Sequence, residues 1–383
     1  MDVYLDHAAT TPVRVEAFEA MLPWLTTSFG NPSGGHRVAR ASRQAVDEAR
    51  ETTAAALGCE PGEVIFTGGG TEADNLAVGG IVAASAGRGG PTGAVCSAIE
   101  HHAVLHAVEA LGGQTVGVDA DGRVDLDQLA GALGPDTAVV SVMLANNEVG
   151  TVQDLAAVAA VIGQRAPAAI LHTDAVQAAP WLDVARLAGD AALVSVAGHK
   201  FGGPQGVGVL VARRGVRLEP LLRGGGQERE RRSGTHNVAG IVGLAAALTA
   251  TVADREEAGR QVRARRDRLV AAVQAGLPGV VLSAAGAPRL PNIAHLRIDG
   301  VESEALLVLL DDAGICASAG SSCASGAMEP SHVLAAMGVG RAEARTAIRL
   351  SLGRPTTDAD VDEGVAAVLA AARHLRAPVG VRA

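Results

Sequence analysis

The chain has 383 residues, 48% of them hydrophobic and 19% charged, a globular composition that excludes a disordered or fibrous protein. At about 150 residues per domain, this length predicts two or three domains. The formal net charge of −9 argues against a nucleic acid as partner, because proteins that grip a polyanion are usually basic.

Short apolar runs alternate with stretches of helical spacing through the first two-thirds of the chain. Most of these runs are apolar at successive positions, which is typical of strands buried on both faces of a parallel sheet. The predicted strands are residues 63–67, 94–98, 138–144, 169–173, 191–196 and 206–212. The helices predicted between them include residues 44–56, 71–84 and 155–164. This alternation predicts an α/β domain with a mainly parallel sheet.

The composition of the chain changes near residue 250, from mainly apolar to charged. The apolar run 238–253 is shorter than the roughly 20 residues that span a bilayer, so we expect a buried helix and no membrane segment. Residues 254–275 are charged and amphipathic, and further strands are expected at about residues 292–298, 315–318 and 347–352. We therefore predict a large domain of residues 15–250 and a smaller α+β domain formed by residues 1–14 and 251–383.

Four cysteines occur without a C-x-x-C pair, so neither a disulfide framework nor a zinc knuckle is indicated. His102 and His106 are spaced i, i+4, but no third ligand accompanies them and we expect no metal. Residues 1–6 contain acidic residues at the positions where a secretory signal needs basic ones. These features favour an enzyme of the reducing cytoplasm.

Three glycines at residues 68–70 follow a predicted strand and precede a predicted helix. Backbone N–H groups at such a helix start favour a bound phosphate, and Thr71 and Asp74 are spaced as a capping box. Residues 68–73 also fit a dinucleotide fingerprint, with Glu100 as a ribose-binding acid. From this motif alone, a dinucleotide, another phosphate or a turn without ligand all remain open.

The only lysine of the chain is Lys200, and every other basic residue is arginine or histidine. Arginine replaces lysine where a positive charge suffices, but it cannot supply an amine that deprotonates and forms a Schiff base. Lys200 follows a predicted strand, at the edge where open α/β sheets bind cofactors. The sequence therefore favours a catalytic amine.

Asp174 ends another predicted strand. A carboxylate in that position can keep a pyridine nitrogen protonated, which makes the ring an electron sink. Together with Lys200 and the glycine turn, Asp174 predicts a site for pyridoxal 5′-phosphate (PLP).

Eight blocks occur in order between about residues 3 and 360. They are YLDHAATTP (4–12), FGNPS (29–33), TEADN (71–75), EHHAVL (100–105), NNEVG (146–150), HK (199–200), RSGT (232–235) and RLSLGR (349–354). These blocks closely resemble the cysteine desulfurases of the NifS/IscS type. The resemblance implies a PLP-dependent transferase of fold type I, with a class V aminotransferase-like large domain and a smaller C-terminal domain.

The resemblance also implies roles for the matching residues. Lys200 would bind PLP, His101 would stack on its ring and act as acid or base, and Asp174 would pair with the ring nitrogen. The residues expected to bind the cofactor phosphate are Gly70, Thr71, His199 and Thr235, with Thr235 supplied by the second subunit of a homodimer. The residues expected to contact the ring or the substrate are Asn31, Asn147, Gln177 and Arg349, of which Arg349 would clamp the substrate carboxylate.

Cys323 lies in a run of small residues, 315–327, whose composition predicts a loop. Sulfur transfer needs a thiolate that attacks the substrate sulfur and then presents a persulfide, so we expect Cys323 to be the catalytic thiol. Cys59, Cys96 and Cys316 are expected to be structural.

The expected reaction converts L-cysteine to L-alanine and passes sulfur through an enzyme persulfide to an acceptor protein, for iron–sulfur cluster assembly or thiolation. A PLP-dependent aminotransferase or a selenocysteine lyase on the same fold is an alternative that would not require Cys323. A dinucleotide-dependent oxidoreductase and a non-enzymatic sulfur carrier are alternatives of other classes.

Two positions depart from the family pattern. Ala197 and Gly68 stand where the family usually has serines. Loss of the hydroxyl at Ala197 would remove a phosphate hydrogen bond worth about 1.5–3 kcal/mol, so cofactor affinity is the property expected to change.

Overall fold

The computed structural model describes residues 2–320 and 331–377. Its helices are α1 (Val15–Leu25), α2 (Arg37–Leu57), α3 (Gly70–Ala86), α4 (His102–Ala110), α5 (Leu126–Ala132), α6 (Leu155–Arg165), α7 (Val184–Leu187), α8 (Val238–Gly276), α9 (Ser303–Asp312), α10 (His332–Ala336), α11 (Arg341–Ala344) and α12 (Asp358–Arg376). Its strands are β1 (Val3–Tyr4), β2 (Val64–Thr67), β3 (Gly93–Ser97), β4 (Gln114–Val116), β5 (Thr137–Ser141), β6 (Ile170–Asp174), β7 (Leu193–Ala197), β8 (Gly208–Ala212), β9 (Val280–Leu282), β10 (Ile293–Ile298), β11 (Ile315–Cys316) and β12 (Ala347–Ser351).

A seven-stranded sheet in the order β2-β8-β7-β6-β5-β3-β4 forms the centre of the α/β part. All its strands run in one direction except β8, which is antiparallel to both β2 and β7. The predicted α/β class and the mainly parallel sheet are therefore confirmed.

The predicted strand 206–212 runs against its neighbours in the otherwise parallel sheet. The corresponding strand, β8, is antiparallel. The chain between β7 and β8 contains only a short 3₁₀ turn, Gly198–Lys200, whereas a parallel return needs a crossover of a dozen or more residues.

Successive side chains of the central strands pack into two different clusters. Leu193 and Leu210 belong to the cluster with α3, whereas their neighbours Val194 and Val209 belong to the main core on the opposite face. Because both faces of the sheet are covered, successive residues must be apolar. This burial explains why the strands were visible as uninterrupted apolar runs.

A smaller antiparallel sheet, β12-β10-β9, and a parallel pair, β1 with β11, lie beside this layer. Strand β1 brings the N-terminal segment to the C-terminal part of the chain, and Asp6 bridges to Ser351. The division into domains at residues 15 and 250 stays a prediction. One continuous helix of 39 residues, α8, crosses position 250.

By length and composition alone, helix α8 could cross a membrane. The mean hydropathy over its most apolar window is 1.4. Within that window, however, 56% of the residues are buried inside the protein, among them Ile241, Leu244 and Leu248. This is the burial pattern of a core helix, as expected for residues 238–253.

Helix α9 provides a matched test of this core. Leu310 is completely buried, whereas Val308 on the same helix is 63% exposed. We expect Leu310→Ala to lower the free energy of unfolding by about 2–5 kcal/mol and Val308→Ala to change it by less than about 0.5 kcal/mol. Denaturant unfolding of both variants measures this, and equal effects would contradict the packing described here.

Candidate active site

The carboxyl ends of five strands carry the polar residues singled out from the sequence. The glycine turn follows β2, His101 follows β3, Asn147 follows β5, Asp174 ends β6 and Lys200 follows β7. Because these strands run in the same direction, their carboxyl ends meet at one edge of the sheet.

This edge opens into a cavity of about 550 Å³, a size typical of small-molecule sites. The predicted site residues that line it are Gly70, Thr71, His101, Asn147, Asp174, Gln177, His199, Lys200 and Arg349. Residues separated by up to 279 positions in the chain, as Gly70 and Arg349 are, are thus brought to one place.

The Lys200 amine is held by backbone carbonyls of the N-terminal segment. Its Nζ donates to the carbonyl oxygens of Ala8 at 2.6 Å and Ala9 at 2.8 Å. Burial, with the charge of Arg349, lowers the pKa of Lys200 to about 8. The amine therefore loses its proton more readily near neutral pH than an ordinary lysine does, which favours its use as a nucleophile.

Asp174 presents a buried carboxyl group to the same cavity. Its Oδ1 accepts a hydrogen bond from the Val176 N–H at 2.8 Å, and burial raises its pKa to about 6. A cation bound in the cavity beside Asp174 would favour the ionised carboxylate. A protonated pyridine nitrogen fits this requirement.

His101 caps the N-terminus of α4 through its ring. Its Nδ1 accepts from the Ala103 N–H at 3.2 Å, so in the neutral ring the proton resides on Nε2. Burial and the nearby Lys200 lower the pKa of His101 to about 4. The ring is therefore neutral at pH 7, and it lines the cavity.

The first turn of α3 is left open toward the cavity. The helix begins at Gly70, and Gly69, with φ of 147°, caps it without any side-chain hydrogen bond. A Cβ on Gly70 would approach Val176 Cγ2 to 3.0 Å, so a larger residue would crowd the space above the helix end. Unsatisfied N–H groups at the start of a 17-residue helix fit a phosphate.

The capping box predicted for Thr71 and Asp74 was wrong. Because the helix starts one residue before Thr71, Asp74 lies inside α3 and is buried. Its Oδ1 is 3.6 Å from Nε2 of His172 on β6. Burial raises the pKa of Asp74 well above its ordinary value, and no side chain caps the helix start.

Arg349 projects from β12 into the cavity. One terminal nitrogen donates to Asp6 at 2.8 Å and the other to the Asn147 carbonyl at 2.9 Å, whereas its buried Nε has no partner. The guanidinium is thus held in place by two of its five N–H donors. Asp6, which orients it, was not identified as a site residue from the sequence, because a single acid near the N-terminus carries no spacing signal.

The remaining contacts of the site are local. Gln177 Nε2 donates to the Ala8 carbonyl at 2.6 Å, and Nδ1 of His199 lies 3.2 Å from the Thr10 hydroxyl. Ala197 also lines the cavity, so a hydroxyl at this position would lie at the cavity wall.

Glu100 does not occupy a ribose-binding position. Its side chain is completely buried, and one oxygen accepts from the Ser97 hydroxyl and from the Met143 N–H at 2.8 Å. A ribose cannot reach this carboxyl group, which removes the support for a dinucleotide fingerprint. Burial raises the pKa of Glu100 to about 8.

Two predicted site residues do not line the cavity of their own chain. Asn31 is exposed and its Oδ1 accepts from the Ser33 N–H, and Thr235 is exposed in the segment that precedes α8. A separate cavity is bordered both by Ser33 and by residues 225–229 and 236. Residues adjacent to Asn31 and to Thr235 in the chain thus border the same cavity.

The histidine pair spaced i, i+4 lies close to a third histidine. The rings of His102 and His106 are 5.1 Å apart, and His332 comes within 4.6 Å of His102. No group of three or more ligands that could hold a metal ion occurs in residues 2–320 and 331–377.

Cys323 lies outside the described residues. The other three cysteines are free thiols, and none of them lines the cavity. Burial raises the pKa of each, to about 11 for Cys59 and above the ordinary value for Cys96 and Cys316. Raised thiol pKa values indicate weak nucleophiles.

Comparison with known proteins gives consistent results. Residues 3–363 match the family model described as aminotransferase class-V. A cysteine desulfurase IscS of Methanosarcina thermophila is 44% identical, with 98% of this chain and 93% of the relative covered. An IscS-like cysteine desulfurase of Mycobacterium tuberculosis is 47% identical, with coverage of 94% and 93%. A solved NifS-like protein is 34% identical with a TM-score of 0.88, covering 97% of this chain and 99% of that one.

Glu100 generates a prediction for the pH dependence of stability. A carboxyl group whose pKa rises from roughly 4.3 in the unfolded chain to about 8 in the fold stabilises the fold fully below pH 4, and this contribution is lost as pH rises toward 8. Because Glu100→Gln stays neutral, its free energy of unfolding relative to the parent should rise between pH 5 and 8, by up to about 1.4 kcal/mol per pH unit.

Denaturant unfolding of the cofactor-free proteins across that pH range measures the effect. Glu109→Gln, at an exposed position of α4, is the control and should follow the parent at every pH. Parallel curves for Glu100→Gln and the parent would contradict the assignment.

Proposed function

The chain belongs to the class-V aminotransferase family and is a PLP-dependent cysteine desulfurase, and from this premise we propose which of its residues perform the reaction. The sequence-based prediction of fold family, activity and cofactor is confirmed by these relatives. The observation that carries the residue assignments is the chain's single lysine amine, half-buried at the sheet edge with Asp174 and His101 around the same cavity.

The described residues suit the cofactor at each of its parts. The open N-terminus of α3, with Thr71 and His199, would hold the phosphate, and Lys200 would hold the aldehyde carbon through its amine. Bound PLP supplies an electron sink that stabilises a carbanion at the substrate α-carbon. Asp174 would keep the proton on the ring nitrogen, and the flat neutral ring of His101 would lie against the cofactor.

Substrate binding is assigned to Arg349 and Asn147. The guanidinium of Arg349 lines the cavity, is oriented by Asp6, and keeps a second N–H on each terminal nitrogen, so it can bind the carboxylate of L-cysteine. Asn147 lines the cavity beside it, and its carbonyl accepts from Arg349 at 2.9 Å. Lys200 lines the same cavity, so a substrate whose carboxylate is bound in this way would carry its α-proton in the cavity that contains the amine.

Proton movements are assigned to Lys200 and His101. With its pKa lowered to about 8 by burial, Nζ of Lys200 can accept the α-proton once its amine is free and return it. His101 carries a proton on Nε2 in its neutral form, which makes it a donor to a substrate group in the cavity. Both groups would thus work near neutral pH.

Sulfur transfer is assigned to Cys323, on the sequence resemblance. Its thiolate would attack the substrate sulfur, forming an S–S bond while the substrate C–S bond breaks. The electron pair of that bond stays on the carbon fragment, which takes a proton and leaves as L-alanine. The raised pKa values of the three described thiols, and their positions outside the cavity, support this choice by elimination.

A homodimer is the proposed assembly. Thr235 is exposed and absent from its own cavity, and an open cavity beside the glycine turn is lined by Gly68, His199 and the exposed Leu221 and Leu222. Helix α1 and the residues after it also expose apolar side chains, namely Phe18, Leu22, Leu25 and Phe29. An apolar surface of this kind favours burial against another chain.

The proposed sulfur acceptor is a protein of iron–sulfur cluster assembly or thiolation.

The assignment of Lys200 predicts where reduction fixes the cofactor. Borohydride treatment of the yellow purified protein should attach PLP to the peptide that contains Lys200, since the chain has no other side-chain amine. Lys200→Arg should retain the charge but bind no reducible cofactor. Peptide mapping by mass spectrometry tests this, and PLP on any other peptide would refute the assignment.

The assignment of Cys323 predicts a split between early and late steps. Cys323→Ser leaves Lys200, Asp174 and Arg349 intact, so exchange of the cysteine α-proton with solvent should continue. Persulfide formation should fall by about two orders of magnitude or more, because a serine hydroxyl is not ionised near neutral pH. Cys316→Ser should behave like the parent. Normal sulfur transfer by Cys323→Ser would instead favour a lyase.

A further inference from the structure

The segment before α8 contains a turn with unusual backbone geometry. Glu228, Arg229 and Glu230 have φ values of 49°, 57° and 66°, and Gly226 just before them has 75°. Residues other than glycine rarely adopt this left-handed conformation, and three in succession are strained. Such strain persists only where surrounding contacts impose it, and it concentrates at functional sites.

The contacts that impose it converge on Glu228. Its side chain is only 5% exposed. One carboxylate oxygen accepts from Arg50 at 2.6 Å and from Nε2 of His236 at 2.8 Å. The other accepts from Arg50 at 2.8 Å and from the Phe66 N–H at 2.9 Å.

These four bonds satisfy the carboxylate and attach the turn to α2 and β2. Burial alone would raise the pKa of Glu228, but the hydrogen bonds from His236 and Arg50 outweigh it and lower the pKa to about 2. The group is therefore ionised at every working pH.

Hydrogen bonds to the same turn hold the residues that precede and follow Thr235. His236, the next residue, is bound by Glu228. Gly234, the preceding residue, donates its N–H to Oε1 of Gln227 at 2.8 Å. Thr235 is thus held between two residues that both hydrogen-bond to the strained turn, while its own side chain stays exposed.

We propose that Glu228 is a positioning residue that shapes the Arg232–Thr235 loop so that the Thr235 hydroxyl completes the cofactor-phosphate site of a second copy of this chain. The inference rests on the homodimer proposed above. Because Glu228 also binds the Phe66 N–H on β2, just before the chain's own glycine turn, damage to Glu228 is expected to act on both cavities, and the proposal predicts that it weakens the cofactor more in the partner's cavity than in the cavity of the same chain.

Glu228→Gln preserves the shape of the side chain but replaces one acceptor oxygen by an NH₂ group, which is a donor. This NH₂ group faces the donors of Arg50 or His236, so the hydrogen-bond network is broken. The matched control is Glu230→Gln, which makes the same charge change at an exposed position of the same turn. The readout is the rate at which the holoenzyme loses PLP. We expect Glu228→Gln to raise this rate about 10-fold or more, as for loss of one charge-assisted hydrogen bond, and Glu230→Gln to match the parent.

Mixed dimers, purified through two different tags, separate a positioning role from general destabilisation. One subunit carries Lys200→Ala, so that cofactor is fixed only in the other subunit's cavity. Placing Glu228→Gln in the Lys200→Ala subunit should speed PLP loss from the intact cavity. Placing Glu228→Gln in the Lys200-bearing subunit should change the rate clearly less.

The reverse pattern, or equal rates in both mixed dimers, would overturn the inference. If Glu228→Gln does not fold, His236→Ala, which keeps the Arg50–Glu228 pair, should show the same pattern across subunits with a smaller effect. Sedimentation of the parent protein distinguishes the two proposals. A monomer would refute the homodimer itself, whereas a dimer whose PLP loss is insensitive to Glu228→Gln would refute only the role of Glu228.

Discussion

The common direction of six strands in the central sheet is the constraint on which the site depends. Parallel strands end at one edge, so short segments that are distant in the sequence deliver the glycine turn, His101, Asn147, Asp174 and Lys200 to one cavity. Only β8 is reversed, and its connection from β7 is the segment that carries Lys200. The short return thus leaves the amine at the sheet edge, under the carbonyls of Ala8 and Ala9.

Burial sets the chemistry of that edge. It lowers the pKa of the Lys200 amine and raises that of the Asp174 carboxyl group, so each group is shifted toward its neutral form. A ligand with a cationic ring nitrogen and an electrophilic carbon would use both groups, one as counter-charge and one as nucleophile. The N-terminal strand contributes as well, since Asp6 orients Arg349 from the opposite end of the chain.

The sequence was sufficient for the central strands, since burial on both faces requires continuous apolar runs, and for Lys200, since it is the only lysine. It missed the short strands β1, β4 and β9, of which β4 and β9 are partly exposed. It was insufficient where tertiary contacts decide. Asp74 has the spacing of a helix cap but is buried against His172. Glu100 matches a ribose-binding acid but is sealed inside the protein. The left-handed turn at Glu228 has no signal in its residue types, because only its buried partners impose that backbone.

The most direct measurement of the central claim is the yield of L-alanine and of protein-bound sulfane sulfur when the holoenzyme reacts with L-cysteine in the absence of an acceptor. If Lys200 and its cavity perform the first half of the reaction and a thiol of the chain receives the sulfur, the two products form in equal amounts in the first turnover. Alanine accompanied by free sulfide and no bound sulfur, or bound sulfur without alanine, would contradict the account.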